Sequence, residues 1–435
     1  MTATENSQLS TLHYQLKKGY KQTEVGVIPE DWEVVTIGDI CSFLSGGTPS
    51  RKNKDFWNGD IPWISATSLR CFDIYKSENN VTKEAVERGS KFAPIHSTLI
   101  LVRGSALHKE ILAGLVSKKV CFNQDVKALV PNTKLFPKFL TFSILGNSHK
   151  LLNLVTSAGN TAGVLDTRIL KSFLIPLPTK TEQEAIAEAL SDADAWIASL
   201  EQLIAKKRRI KEGTLQALLT PPPPQRDNGK LKMENESSPQ NNSQLSTIHS
   251  QLIHRRLPGF DSEWVEKRLG EVLEVAHGRS QHKVENSAGA YPILASGGLI
   301  GRSNEFLYNR PSVLIGRKGT IDRPQYMDTP FWTVDTLFYT KIYNPNDAKF
   351  LFYRFCLIPW RKYNEASGVP SLNAATIEDI EISLPSQTEQ TAIATVLSDM
   401  DAEIDALETK LTKARLIKKG MMEELLTGKT RFVNK

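Results

Sequence analysis

No long apolar run, no cysteine pairing and no strong excess of one charge mark this 435-residue chain, and each absence removes a class of protein. Nowhere do about 18 apolar residues follow one another, so no membrane-spanning helix is expected. The opening stretch MTATENSQLSTLHYQLKKG is polar and lacks an apolar signal core, so export is not expected either. Cys41, Cys71, Cys121 and Cys356 form no CxxC pair, which argues against a zinc ribbon or a disulfide frame and for a reducing, cytoplasmic setting. The 54 Lys and Arg residues against 48 Asp and Glu leave a formal +6 and a pI near 8.9, a balance that permits a polyanionic partner without demanding one.

Catalytic signatures are missing too. Gly428, Lys429 and Thr430 resemble the end of a phosphate loop, but the upstream glycine position holds Glu423. No GxGxxG follows a strand, no Asn-Pro-Pro-Tyr-like tetrapeptide offers an amino-methyltransferase pocket, and no GxSxG elbow occurs. Glu408 and Lys410 form an ExK pair on a coiled-coil helix without an acidic partner before it, a poor nuclease site. His277 and His282 lie beside Arg279 and Lys283, which favours anion contact over metal ligation. The expectation is therefore a chain that binds, with no catalytic residue, metal or cofactor.

What the sequence does contain is itself, twice. The segments Thr181–Thr220 and Thr388–Thr427 agree at roughly 22 of about 40 positions without a gap. SQLSTLHYQL at Ser7 returns as SQLSTIHSQL at Ser243, and the surroundings of Trp32 return around Trp264. Between these anchors the halves diverge, the second being roughly 29 residues shorter. Fainter echoes pair STLILVRGSA (97–106) with PSVLIGRKGT (311–320), and FLIPLP (173–178) with IEISLP (380–385). Short apolar runs broken by Gly, Pro and Asn, such as DIPWISATSL and YPILASGGL, read as strands of β-rich mixed domains.

In the second repeat Ile393, Leu397, Met400, Ile404, Leu407, Leu411, Ala414, Met421 and Leu425 recur at steps of four and three, interrupted by Lys418. Ile186, Leu190, Ala193, Ile197, Leu200 and Ile204 hold the same places in the first, after which the seam weakens. Thr181 with Glu184, and Ser386 with Glu389, fit the N-terminal capping pattern. A helix of roughly 38 residues is about 57 Å long. Each seam needs a partner, and the other copy packed antiparallel is the nearest candidate. The expected fold is mixed α+β: two β-rich globular domains in pseudo-twofold arrangement, joined by two long helices in an antiparallel coiled coil. Its expected parts are an N-terminal segment (1–24), a first β-rich domain (25–180), a helix (181–220), a Pro-rich polar linker (221–255), a second β-rich domain (256–387), a second helix (388–427) and a tail (428–435). Such a frame with unlike interiors suits a target that is itself in two parts.

The segment GYKQTEVGVIPEDWEVVTIGDI (19–40), the repeated TEQxAIAxxLSDxDAxI element and the closing LLTGKTRF (425–432) together resemble the specificity subunit of type I restriction-modification systems. The likeness covers almost the whole chain. It implies two variable target-recognition domains braced by two similar helices, a bipartite double-stranded DNA site with an unspecific spacer, and adenine N6 methylation by two partner methyltransferase subunits. Two restriction/translocase subunits join where the complex also cleaves. On this reading the rod sets the separation of the half-sites near one duplex turn, about 34 Å. The competing readings are a coiled-coil scaffold for two protein ligands, without sequence-specific DNA binding, and a stand-alone nuclease or methyltransferase with unrecognised motifs. The long linker departs from the family layout and leaves open where the second domain starts.

Given that resemblance, the loop Ser45–Trp57 concentrates groups suited to DNA: Ser45, Gly46, Gly47, Thr48, Ser50, Arg51, Lys52 and Lys54. Arg103, Ser105, His108 and Lys109 follow, with Asn160 and Thr161. The second domain offers His277, Arg279, Ser280, His282, Lys283, Arg302, Arg317, Lys318 and Thr320. Arginine bidentate to guanine is the commonest specific contact, so Arg51, Arg103, Arg279 and Arg317 lead as base readers. Trp57, Trp63 and Trp332 read as core residues. The basic runs Lys206–Lys211 and Lys413–Lys419 suit the helix dipole, with phosphate contact or methyltransferase docking as alternatives.

Overall fold

The computed structural model describes residues 18–158, 162–221 and 256–432. Asn160, Thr161, the SQLSTxH elements and all but the first residue of the linker lie outside them. The chain divides into two compact units, residues 1–201 with 410–435, and residues 202–409.

The first unit centres on a five-stranded sheet in the order Cys41–Ser45, Val126–Pro131, Thr98–Leu101, Ala113–Val116, Asp73–Ile74. All four residues of Thr98–Leu101 are buried, so this central strand shows no alternation of buried and exposed positions. Helix Pro137–Gly146 packs on it, and a 2.8 Å hydrogen bond between the Thr98 and Thr141 hydroxyls pairs two polar groups that burial would otherwise leave unsatisfied. A four-stranded sheet in the order Asn80–Val81, Ile61–Ile64, Val120–Phe122, Phe92–Ala93 has its own small core of Phe56, Trp63, Val81, Ala85, Val86 and Cys121.

The second unit repeats the plan with fewer strands. Its four-stranded sheet runs Leu273–His277, Leu337–Ile342, Ser312–Gly316, Gln325–Met327, and its three-stranded sheet Gly298–Ser303, Tyr291–Ala295, Trp332–Thr333. Each smaller sheet contains one parallel pairing, Ile61–Ile64 with Val120–Phe122 in the first unit and Tyr291–Ala295 with Trp332–Thr333 in the second.

The long helices span Lys180–Leu219 and Gln387–Leu425. The first starts earlier than the capping pattern suggests. The Thr179 hydroxyl, not that of Thr181, accepts the Glu182 N–H (3.4 Å), the position that Ser386 holds toward Glu389 (3.4 Å). The glutamates of the repeated Thr-Glu-Gln word are engaged elsewhere. Glu182, only 3% exposed, accepts from Trp32 Nε1 (3.0 Å) and from Arg431 Nε and Nη2 (3.0 and 2.9 Å). Glu389 accepts from Arg256 Nε (2.8 Å) and Nη2 (2.7 Å). The adjacent glutamines fasten the helix starts to their units. Gln183 accepts from the Phe136 N–H (2.8 Å) and donates to the Pro178 carbonyl (2.9 Å), while Gln390 accepts from the Asp347 N–H (3.0 Å) and donates to the Pro385 carbonyl (3.1 Å).

Each unit is completed by the far end of the other repeat's helix. Leu425 and Leu426 belong to the main core of the first unit, and Leu218 and Leu219 to that of the second. Helix pairing inside each unit is antiparallel. Asp194 meets Lys418 (2.5 Å) and Glu201 meets Arg415 (2.6 Å) in the first unit. Lys207 meets Glu403 (2.6 Å), Arg208 meets Glu408 (2.6 Å) and Lys211 meets Asp401 in the second. Of the seam, Ile186, Leu190, Ala193, Leu200, Ile204, Ile393, Leu397 and Ile404 are buried, whereas Ile197, Met400, Leu407 and Leu411 are half-buried. Exposed ion pairs contribute about 0–1 kcal/mol each and fully buried leucines several times that, so the apolar contacts carry the pairing and the charges select its register.

Leu219→Ala and Leu426→Ala are each expected to cost about 2–5 kcal/mol. In hydrogen exchange, Leu219→Ala should loosen residues 265–384 and Leu426→Ala residues 33–177; the reverse assignment would refute the exchange of helix ends. A second expectation concerns Asp31, whose carboxyl is held below the usual carboxylate range by the Arg431 guanidinium, against a smaller opposing effect of burial. A lowered folded value stabilises above the unfolded pKa of about 3.9 and is lost as pH falls through the folded value. Asp31→Asn should therefore flatten the loss of stability below about pH 4 in acid denaturation.

Candidate DNA interface

In both units three segments meet at one place, and the same backbone bonds bring them together. The Gly47 N–H donates to the Phe122 carbonyl (2.9 Å), and the Arg279 N–H to that of Thr333 (2.8 Å). Val102 and Arg103 donate to the Asp125 carbonyl (2.8 and 3.3 Å), as Arg317 and Lys318 do to that of Thr336 (2.9 and 3.2 Å). The Asn123 N–H reaches the Ile64 carbonyl and that of Val334 the Leu294 carbonyl, both at 3.0 Å. These bonds place Gly104 on Gly319, one residue away from the ungapped match of 97–106 with 311–320, which sets Arg103 on Arg317. The equivalent of Arg103 is Lys318.

Glycine is required where the first loop crosses the strand end. A Cβ on Gly46 would lie 2.0 Å from the Phe122 carbonyl oxygen, and one on Gly278 would lie 2.0 Å from that of Val334. Beyond the crossing, a tryptophan fastens the loop: Trp63 Nε1 donates to the Gly47 carbonyl (3.0 Å) and Trp332 Nε1 to the Arg279 carbonyl (2.8 Å). Both indoles are buried, combining a core role with a clamp on the loop.

In the first unit Thr48 donates to Gln124 Oε1 (2.6 Å), Lys127 Nζ to the Ser45 hydroxyl (2.5 Å), and Trp57 Nε1 to the Ser50 carbonyl (3.2 Å). The Arg51 guanidinium lies over the rings of Trp57 and Trp63, 4.7 and 5.7 Å from their centroids, contacts that hold it in place beside the cleft. Ser50, Lys52 and Lys54 are exposed, as are Arg103, Ser105, His108 and Lys109 on and beside the short 3-10 turn Ser105–His108.

In the second unit His277 ends its strand with the ring against Phe338, 4.9 Å between centroids, and Arg279, Ser280, His282 and Lys283 are exposed beyond it. Arg317 donates from Nη1 to the Asp335 carbonyl (3.3 Å), Lys318 is exposed, and Thr320 is half-buried. Arg302 stands apart: its Nε and Nη2 hold the carbonyls of Gly289 (2.6 Å) and Ala290 (2.7 Å).

The third segment escaped the sequence reading. Asn123, Gln124 and Asp125 line a 450 Å³ cleft with Thr48, Arg51, Trp63, Ser65, Thr67 and Asn79. The available signal was a polar triplet directly after the apolar strand Val120–Phe122. Its counterpart, Val334-Asp335-Thr336, shares the backbone position and differs in every side chain.

A family model of the type I restriction modification DNA specificity domain matches residues 29–209 and 261–415. The type I restriction enzyme EcoR124I/EcoR124II specificity subunit of Escherichia coli is 31% identical over 49% of this chain, a match that spans 52% of that relative's length. For the MjaIX specificity subunit of Methanocaldococcus jannaschii the identity is 27% and the span 58% of the relative, so the chain aligns with little more than half of either. The MjaVIII specificity subunit of the same organism is 24% identical over 97% of this chain and 98% of its own length. Among solved structures, the S subunit of the type I restriction-modification system from M. genitalium superposes with a TM-score of 0.59 at 17% identity, covering 91% of this chain and 96% of that one, a likeness of fold. Matched across both of its repeats, the chain belongs to the type I restriction modification DNA specificity domain family.

Proposed function

We propose that this chain is the DNA-specificity subunit of a type I restriction-modification complex, reading a bipartite double-stranded site with one loop cluster per half. In this reading two methyltransferase subunits carry out adenine N6 methylation in the cytoplasm, restriction/translocase subunits join where cleavage occurs, and the chain contributes no catalytic residue. The observation that carries the reading is the duplicated meeting of three segments: identical main-chain bonding in the two units, with unlike side chains mounted on it. A scaffold for protein ligands has no need of two differently furnished copies of one basic loop cluster.

Arg51, Arg103, Arg279 and Arg317 are assigned to base edges, Lys52, Lys54, Lys109, Lys283 and Lys318 to phosphates, and Arg302 to bracing its hairpin. Ser45, Thr48, Ser50, Ser105, His108, His277, Ser280, His282 and Thr320 supply further polar contacts, and Gly46 and Gly47 close main-chain approach. The outer faces of the helices keep Leu203 and Ile210 38% and 44% exposed beside the Lys206–Lys211 run, and Leu416 and Ile417 64% and 51% exposed in the other repeat. Apolar groups ringed by basic ones suit protein docking, one methyltransferase per repeat.

Co-expression with the cognate methyltransferase should produce one asymmetric, two-part methylated motif in genome-wide methylation sequencing. An active methyltransferase that leaves no such motif would sink the proposal. In purified complexes, the double variant Lys52→Ala, Lys54→Ala should weaken binding evenly across sequences and reduce the slope of log affinity against log salt by about 2, read by anisotropy titration.

A further inference from the structure

We propose, building on the function proposed above, that the cleft beside Arg51 is a base-edge subsite specific for an amino-bearing base, cytosine or adenine, and that Asp125 and Asn123 are its specificity-determining residues. Asn123 is 7% exposed and lines the cleft, yet its Oδ1 has no hydrogen-bond partner. Its amide orientation is set by Nδ2, which donates to Asp125 Oδ2 (3.4 Å), so the unsatisfied atom is the acceptor. Buried acceptors are normally paired, and this one has no donor within the protein.

The chemistry of the walls narrows the occupant. The Asp125 carboxylate beside a lone amide oxygen repels a phosphate and asks for N–H donors. In the major groove such donors are the exocyclic amines, N4 of cytosine and N6 of adenine, and carboxylates characteristically accept from cytosine N4. Arg51, held beside two indoles at the same cleft, supplies the complementary donor pair for guanine O6 and N7. Acceptors and a planar donor in one 450 Å³ space match the mixed edge of base pairs better than the uniform charge of the backbone.

The test is methylation sequencing with the full complex carrying Asp125→Asn. One base pair of one half-site should lose discrimination by about tenfold or more while the other half-site stays unchanged. An intact motif with both Asp125→Asn and Asn123→Ala overturns the proposal, as does relaxation confined to the other half-site or an even loss across all positions. Should Asp125→Asn abolish methylation, Asp125→Glu, which keeps the acceptor charge, must restore the motif; failure to restore it also overturns the proposal. Which base appears at the affected position separates cytosine from adenine. A wild-type complex with no defined motif would defeat the parent reading instead.

Discussion

Two pairs of leucines hold the organisation of this protein together. Leu218 and Leu219 end the first long helix in the core of the second unit, and Leu425 and Leu426 end the second helix in the core of the first. Neither core is complete with residues of its own repeat. The antiparallel direction of the helices follows from this exchange, because each helix starts in one unit, fastened by its glutamine, and finishes in the other. Apolar burial supplies the energy, and the ion pairs along the helices oppose a slipped register without adding much to it.

The buried carboxylates at the two helix starts show how a local pattern acquires a distant purpose. A Ser or Thr followed three residues later by Glu is a capping signature, and the hydroxyls of Thr179 and Ser386 do cap. The glutamates, however, face arginines far away in sequence, Arg431 and Arg256. A buried carboxylate without such a partner would be strongly destabilising. The same word is thus repeated because each helix start needs the same latch, with the arginine drawn from a different part of the chain each time.

What was legible in the sequence follows the range of the interactions. The helices and their antiparallel pairing could be read because a period of seven residues, written twice, records its own partner. The cap was displaced by two residues because Thr181 offers the same hydroxyl as Thr179 and the pattern does not say where the strand before it ends. Loops rich in Gly and basic residues stood out as candidates, but Asn123, Gln124 and Asp125 did not. Their place in the cleft depends on the parallel pairing of Val120–Phe122 with Ile61–Ile64, which brings residues 48 and 125 together and leaves no periodic trace. The one-residue offset between Arg103 and Arg317 has a similar origin, since matching letters outweighed the main-chain bonds that define equivalence.

The crossings at Gly46 and Gly278 carry a consequence for how such a protein changes over time. The clusters are assembled by peptide groups and two glycines, whose bonding is indifferent to the neighbouring side chains. On the function proposed above, drift at Arg51, Gln124, Arg279 or Asp335 would rewrite the preferred target without touching these bonds, whereas any Cβ at either glycine collides with a carbonyl whatever the target. Heritable novelty and architectural constancy are consigned to different atoms of the same loops.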